Sequence, residues 1–217
     1  GLALGGAYAH VIKVQSSLLL HKPDKLSWEE AAAIPEQWLT AFQALRPLAN
    51  LQPKESVLIH AGASGVGLAA AQLAKDFGAA KVYVTAGSED KCKMCESIAA
   101  DRAFNYKAQD WAEELSKATN GEGVDVIMDF IGANYWNNNI NSLKRDGRLI
   151  MQGAMGGVKV KDGALVGPII FKRLRIIGST LRSRTVEYQG QLVQDFLKVS
   201  SSLMWPKRSL YADNYAF

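Results

Sequence analysis

Residues 56–68 read SVLIHAGASGVGL, and this segment decides the fold of the chain. Its first part, residues 57–59, is a short apolar run typical of a strand buried on both faces of a parallel sheet. A turn of small residues follows at 61–67, and apolar residues then recur at helical spacing at Val66, Ala70, Leu73 and Phe77. A strand, a glycine-rich turn and a helix in this order begin a βαβ unit, which directs a helix N-terminus at a phosphate group.

The glycines of this turn are spaced GxxGxG, at Gly62, Gly65 and Gly67, whereas the common dinucleotide fingerprint is GxGxxG. Both spacings meet the same demands: a tight turn, close approach of the backbone to a pyrophosphate, and N–H groups aimed at it. A glycine turn can also be a purely structural loop. The strand before it and the helix after it favour dinucleotide binding.

The alternation of strand and helix repeats along the chain. We predict strands at 57–59, 81–86, 102–106, 124–131, 148–151 and 174–180, with helices between them. This pattern, with a phosphate turn after the first strand, predicts an α/β fold with an open, doubly wound parallel sheet. The alternating segment 6–20, which contains β-branched residues, predicts one or two further strands.

The composition limits the class of protein. With 48% apolar and 21% charged residues, the 217-residue chain has the composition of a soluble globular protein, and no apolar run approaches the roughly 20 residues that span a bilayer. A net charge of +4 suits an anionic cofactor; without a dense Lys/Arg run it disfavours, but leaves open, a nucleic-acid partner. Cys92 and Cys95 fall inside a predicted helix, which indicates two reduced, packed thiols and a reducing, cytoplasmic compartment.

The end of the second strand distinguishes the two nicotinamide cofactors. An NAD site usually carries Asp or Glu about 20 residues past the glycines, where it holds the ribose hydroxyls. Here Ala86 and Gly87 occupy that position, and Lys91 follows one helical turn later. A missing acid together with an added cation favours NADPH, although Lys91 could be an ordinary surface lysine.

Several motifs, in the same order along the chain, resemble the quinone oxidoreductase branch of the zinc-independent medium-chain dehydrogenase/reductase superfamily, in particular its ζ-crystallin-related NADPH:quinone reductases. The motifs are GGAYA at 5–9, AAAIP at 31–35, LTAF at 39–42, AGASGVG at 61–67 and IGSTLRSR at 177–184. The resemblance covers roughly residues 5–198. It implies a Rossmann domain, NADPH as cofactor, hydride transfer to a quinone or an activated alkene, and a homodimer.

The resemblance also implies which residues bind the cofactor. The pyrophosphate turn is matched by Ala63, Ser64, Gly65, Val66 and Gly67. The 2′-phosphate pocket is matched by Gly87, Ser88, Lys91 and Tyr106, and a threonine beside the nicotinamide is matched by Thr40. The strand ends that border the cofactor are matched by Phe130, Ile131, Gly153, Ala154, Met155, Ser179, Thr180 and Leu181. No catalytic residue stands out. The three histidines lack ligand spacing, so no metal site is expected, and His60 is interpreted as a satisfied core residue.

The resemblance divides the chain into three expected parts. Residues 1–35 match the remnant of a GroES-like catalytic domain, 36–200 an NADP-binding Rossmann domain, and 201–217 a divergent tail. Because family members carry most of a GroES-like domain before the position of Gly1, we expect a truncated form with poor turnover. An enoyl or alkene reductase of the same superfamily and a non-catalytic NADPH- or RNA-binding module remain alternatives. The asparagine-rich segment 134–141 is interpreted as a polar helix start and little else.

Overall fold

The computed structural model describes residues 1–3, 5–161 and 163–203, with side chains up to residue 199. The chain forms two compact units: Ala44–Ser179 is one, and Gly1–Gln43 with the chain from Thr180 onward is the other. Of the expected divergent tail at 201–217, the part from residue 204 lies outside the described residues. The division of the chain at residues 35/36 and 200/201 stays a prediction.

The unit Ala44–Ser179 is built on one six-stranded sheet. Its strands are β1 (Ser56–Ile59), β2 (Lys81–Ala86), β3 (Arg102–Asn105), β4 (Val124–Asp129), β5 (Leu143–Met151) and β6 (Arg175–Gly178). All neighbouring strands are parallel, in the order β3-β2-β1-β4-β5-β6. The chain winds outward from β1 in both directions, so the boundary between β1 and β4 is the switch point where such sheets bind ligands. The predicted doubly wound parallel sheet is confirmed.

Helices connect the strands of this unit, and further helices belong to the other unit. They are α1 (Trp28–Ala32), α2 (Pro35–Gln43), α3 (Gly65–Asp76), α4 (Glu89–Ile98), α5 (Trp111–Ala118), α6 (Trp136–Ser142), α7 (Gly167–Phe171) and α8 (Val186–Leu203). A π-helical turn spans Ala44–Leu48, and 3-10 turns span Ser16–Leu18 and Ala133–Tyr135. None of the helices in the described part of the chain is long and apolar enough to cross a membrane.

The core of the sheet explains why residues 57–59 are apolar without alternation. All four residues of β1 are buried, and Leu58 packs with Ile127 of β4 and Leu149 of β5 in one cluster. A central parallel strand is covered on both faces, so each of its side chains meets the core. The apolar run is therefore a consequence of the position of β1 in the middle of the sheet.

A buried ion pair lies at the end of the sheet where β1 begins. The Arg148 guanidinium of β5 makes a bidentate contact with the Glu55 carboxylate, at 2.8 and 2.5 Å. Its Nε also donates to the Ala49 carbonyl at 2.9 Å. With only 6% of the Arg148 side chain exposed, this pair fixes the connector before β1 to the middle of β5.

The unit that contains α1, α2 and α8 is helical in its described part. The Ser27 Oγ accepts from the Glu30 N–H while the Glu30 carboxylate accepts from the Ser27 N–H, and together these two bonds form a capping box at the start of α1. α2 and α8 pack together through the rings of Phe42 and Phe196, whose centroids are 5.6 Å apart.

The strands predicted within residues 6–20 are wrong. This segment has a 3-10 turn at Ser16–Leu18 and no strand, and Tyr8 and Val11 are fully or largely exposed. A strand needs a neighbour for its backbone groups and for one face, and the described residues provide none here. The helix α2 gives way to a wider turn after Gln43. Pro47 lacks an N–H, and the chain widens to a π-turn in which the Ala49 N–H donates to the Ala44 carbonyl.

Candidate functional site

The turn between β1 and α3 brings the predicted residues Ala63 to Gly67 to the carboxyl edge of the sheet. Ser64 is the N-cap of α3, and its Oγ accepts a hydrogen bond from the Gly67 N–H at 3.1 Å. Ala61 has a φ of 51°, a conformation that residues with a side chain rarely adopt. Because α3 is 12 residues long, its N-terminal turn offers N–H groups and a helix dipole to an anion.

Two glycines of the turn are required by packing. A Cβ at Gly62 would lie 2.5 Å from the Cβ of Val84 in β2, and a Cβ at Gly67 would lie 2.7 Å from the Gly62 carbonyl oxygen. The turn therefore touches β2 on one side and the first turn of α3 on the other. The structural role and the phosphate-binding role are compatible, because the same close packing holds the start of α3 at the sheet edge.

The structure brings the residues predicted for the 2′-phosphate pocket to the ends of β2 and β3. Gly87 and Ser88 follow β2, and the Ser88 Oγ caps α4 by accepting from the Lys91 N–H at 3.3 Å. The Tyr106 N–H donates to the Ala86 carbonyl, which places Tyr106 beside the end of β2. A Cβ at Gly87 would lie 2.7 Å from the Tyr106 hydroxyl, so a glycine is needed for this contact. Lys91 is exposed on the first turn of α4.

The loops after β4 and β5 form a second wall of the candidate site. The Phe130 carbonyl accepts from the Met155 N–H at 3.1 Å, and the Ile131 carbonyl accepts from the Gly156 N–H at 2.7 Å. A Cβ at Gly153 would lie 2.9 Å from the Phe130 carbonyl oxygen. The five residues predicted to border the cofactor on these loops therefore belong to one hydrogen-bonded structure.

A cluster of buried polar side chains lies under these loops. His60 is fully buried; its Nδ1 is 3.0 Å from the Thr85 Oγ1, and its Nε2 is 2.7 Å from the Asn139 Oδ1. The rings of Trp111 and Tyr135 pack edge-on against the imidazole, with centroids 4.7 and 4.8 Å away. Burial lowers the pKa of His60 to about 4, and the hydrogen bond to Asn139 only partly opposes this. The prediction that His60 is a satisfied core residue is confirmed.

Asp129, at the end of β4, is the second ionisable member of this cluster. Its carboxylate accepts from the Ile131 N–H at 2.8 Å and from the Gly132 N–H at 3.0 Å, so it fixes the start of the loop. Burial raises the pKa of Asp129 to about 6, opposed by these two bonds and then by the Asn139 amide. Gly132 has a φ of 81° and lies against the loop after β5.

Sequence reasoning missed Asn139 and Asp129. Segment 134–141 was interpreted only as a polar helix start, whereas Asn139 is fully buried and bonded to His60. The available signal was its position beside Ile140, inside the short helix between two buried strands. The strand predicted over 124–131 includes Asp129, and the structure makes it the last residue of β4. An acid that ends an apolar strand and stands three residues before a glycine can cap the loop that follows.

The remaining predicted residues fall in both units. Ser179 follows β6 in the unit Ala44–Ser179, and its N–H donates to the Met151 carbonyl. Thr40, Thr180 and Leu181 belong to the other unit, where the Thr180 and Ser183 hydroxyls form a hydrogen bond and Leu181 is buried. Their contacts with a cofactor stay predictions.

The two cysteines of α4 are buried and free, as predicted for reduced, packed thiols. Burial raises the pKa of Cys95 to about 12 and also raises that of Cys92, so both stay protonated at neutral pH. Among residues 1–3, 5–161 and 163–203, no three His, Cys, Asp or Glu side chains are grouped as a metal site requires.

Comparison with known proteins shows the family to which this chain belongs. A family model described as "Zinc-binding dehydrogenase" matches residues 65–198, and quinone oxidoreductase from Homo sapiens is 30% identical over 204 residues, which are 94% of this chain and 60% of that protein. This chain belongs to the medium-chain dehydrogenase/reductase superfamily, in its quinone oxidoreductase branch. It spans about 60% of the length of the quinone oxidoreductases that it matches.

Solved structures of this superfamily share the fold. Escherichia coli quinone oxidoreductase in complex with NADPH has a TM-score of 0.70 and 31% identity, covering 86% of this chain and 58% of that one. CurK enoyl reductase has a TM-score of 0.72 and 33% identity, covering 84% and 54%. The chain therefore has structural neighbours that are named for two different activities, those of a quinone oxidoreductase and of an enoyl reductase.

Proposed function

We propose that this member of the quinone oxidoreductase branch binds NADPH and, as an oxidoreductase, delivers hydride to a quinone. The observation that carries the proposal is the end of β2, where Ala86 and Gly87 occupy the position of the acid typical of an NAD site. The Tyr106 hydroxyl lies against Gly87, and Lys91 is exposed on the first turn of α4. The relative from Escherichia coli, which was solved with NADPH, supports the same cofactor.

Each part of the site has a role in this proposal. The first turn of α3 binds the pyrophosphate through N–H groups, and Lys91 binds the 2′-phosphate by charge. The loops after β4 and β5 border the nicotinamide ring, which supplies the hydride when bound. That Thr40 and residues 179–181 also bind the cofactor stays a prediction from the family resemblance.

The test compares NADPH with NADH in calorimetric titrations of the purified 217-residue chain. Lys91→Ala removes the ammonium group, and a charge-assisted hydrogen bond of about 1.5–3 kcal/mol corresponds to a loss of roughly ten- to hundredfold in NADPH affinity. Affinity for NADH, which has no 2′-phosphate, stays unchanged. Lys93→Ala is the matched control, because Lys93 is also exposed on α4 but faces a different direction.

Two results would contradict the cofactor assignment. One is equal affinity of the unmodified chain for NADPH and NADH. The other is an equal loss of NADPH affinity in the Lys91→Ala and Lys93→Ala variants, because the effect would then come from net charge rather than from a pocket.

A second candidate is an enoyl or alkene reductase, which the similarity to CurK enoyl reductase favours. Both reactions need the same cofactor domain, so binding experiments do not separate them. Steady-state oxidation of NADPH in the presence of quinones and of enoyl thioesters does. If neither acceptor is reduced while RNA binds with strong salt dependence, the non-catalytic module becomes the better description.

We further propose a homodimer in the cytoplasm, with residues 1–35 as the remnant of a GroES-like domain. Support for the dimer comes from the family resemblance at 177–184, and support for a reducing compartment comes from the two free thiols. Light scattering of the purified chain tests the dimer: a mass of 23.6 kDa, that of one chain, would contradict it.

A further inference from the structure

Asn139 connects two loops that the proposed cofactor site uses. On one side its Oδ1 is 2.7 Å from the Nε2 of His60, the residue that directly precedes the dinucleotide turn. On the other side its amide acts on Asp129, whose carboxylate holds the two N–H groups at the start of the loop after β4. All three side chains are buried.

The Asn139 amide has one favourable orientation between these neighbours. With Oδ1 toward His60, Nδ2 is turned toward Asp129 and lowers the pKa of that carboxyl group, as a donor does. Among the described residues Nδ2 has no partner at normal hydrogen-bond geometry. The flipped amide would turn its oxygen toward the carboxylate, which would repel it. The charge of Asp129 therefore favours the amide orientation in which Oδ1 faces His60.

This orientation determines the tautomer of His60. An amide oxygen only accepts hydrogen bonds, so the Nε2 of His60 carries the proton and donates to Asn139. Nδ1 is then an acceptor and receives the hydroxyl proton of Thr85, at the end of β2. The chain from Asp129 through Asn139 and His60 to Thr85 thus joins the ends of β4, β1 and β2.

We propose that Asn139 is a positioning residue that locks the dinucleotide turn after β1 to the loop after β4 and so holds the cofactor cleft in its binding shape. This inference rests on the proposed function, because it assumes that both loops contact a nicotinamide nucleotide. In this proposal Asn139 does not touch the two atoms between which the hydride moves. Without its bridge, the two loops sample separate conformations, and nucleotide affinity falls by the fraction of molecules that keep the binding shape.

The first measurement is the tautomer of His60, read from the ¹⁵N chemical shifts of the imidazole. The unmodified chain shows the Nε2–H form. In Asn139→Leu the acceptor for Nε2–H is gone and only Thr85 remains, so the ring changes to the Nδ1–H form and donates to the Thr85 hydroxyl. Asn141→Leu is the matched control: Asn141 is exposed on the same helix, and its variant keeps the Nε2–H form.

The second measurement is calorimetric binding of NADPH and NADH to the same three proteins. Asn139→Leu weakens both nucleotides by the same factor, about tenfold if a tenth of the molecules keep the binding shape. The equal factor separates this effect from Lys91→Ala, which weakens NADPH alone. Asn141→Leu leaves both affinities unchanged.

Three results would overturn the inference. They are an Nδ1–H form in the unmodified chain, affinities within twofold of the unmodified chain in folded Asn139→Leu, and a loss for NADPH alone. If Asn139→Leu does not fold, Asn139→Ala and the tautomer of the unmodified chain decide the matter. If the unmodified chain binds neither nucleotide, the proposed function fails, whereas the tautomer still reports whether the bridge exists.

Discussion

The Arg148–Glu55 ion pair allows a direct test of what holds the connector before β1 in place. Arg148 donates to both oxygens of the Glu55 carboxylate and to the Ala49 carbonyl, and its side chain is 6% exposed. Arg173 and Asp146 form a second bidentate pair, between β5 and the residue two before β6, but both side chains are more than half exposed. The two pairs share their geometry and differ in burial.

Arg148→Met keeps the apolar stem of the side chain and removes the charge. Glu55 then loses both guanidinium donors and keeps the Gln52 N–H at 2.8 Å, and the Ala49 carbonyl loses the Arg148 Nε donor. Removing one partner of a buried pair costs about 3–5 kcal/mol. The Glu55 side chain is 22% exposed, so water compensates part of this cost, and we expect about 3 kcal/mol, at the lower end of that range. Arg173→Met changes stability by less than the error of the measurement, because water screens the exposed pair.

Urea unfolding followed by tryptophan fluorescence measures the difference. With a slope near 3 kcal/mol per molar urea, typical of larger domains, the midpoint of Arg148→Met falls by about 1 M. The double variant Glu55→Gln/Arg148→Met recovers part of the loss, since no uncompensated charge remains. Equal midpoints for Arg148→Met and Arg173→Met, or a double variant less stable than Arg148→Met, would refute the reasoning.

Three further predictions concern the candidate site. Gly67→Ala places a methyl group against backbone oxygens that cannot retreat, so urea unfolding shows a loss of about 1–3 kcal/mol, and a variant as stable as the parent chain would contradict this. Gly87→Ala displaces only the far end of the Tyr106 side chain, which is 42% exposed, so calorimetry shows weaker NADPH binding at unchanged thermal stability, and a large stability loss would contradict this. Because burial lowers the pKa of His60 from 6.5 to about 4, its neutral form stabilises the fold above pH 6.5, and that contribution is lost as the pH falls. In thermal unfolding, the free energy of unfolding of His60→Gln, taken relative to that of the unmodified chain, therefore rises by about 3 kcal/mol as the pH falls from 6.5 to 4. The pKa of Asp129 is raised from 3.8 to about 6, so the stability of Asp129→Asn relative to the unmodified chain rises as the pH rises from 4 to 6. For either variant, a pH profile of stability parallel to that of the unmodified chain would contradict the prediction.

The sequence by itself determined the parts of this protein that depend on local patterns. The buried run at 57–59, the glycine turn and the helix after it predicted the first βαβ unit, because strand burial, turn geometry and helical spacing each leave a mark within a few residues. The caps at Ser27, Ser64 and Ser88 are local in the same sense, because each joins a hydroxyl to an N–H group three residues later. The absence of an acid after β2 favours NADPH for the same reason, because the position of that acid is defined by its distance from the glycine turn.

Only the tertiary structure decided which polar residues are buried together. Asn139 is 79 residues from His60 along the chain, and its position beside Ile140 indicates burial but not the partner that it meets. Their contact exists because α6 packs near the end of β1, an arrangement set by strand order. The absence of strands within 6–20 has the same origin, since alternation predicts a strand only where another chain segment completes the sheet. Local spacing thus specified the glycine turn at the start of α3, and the packing of distant segments specified what holds that turn in place.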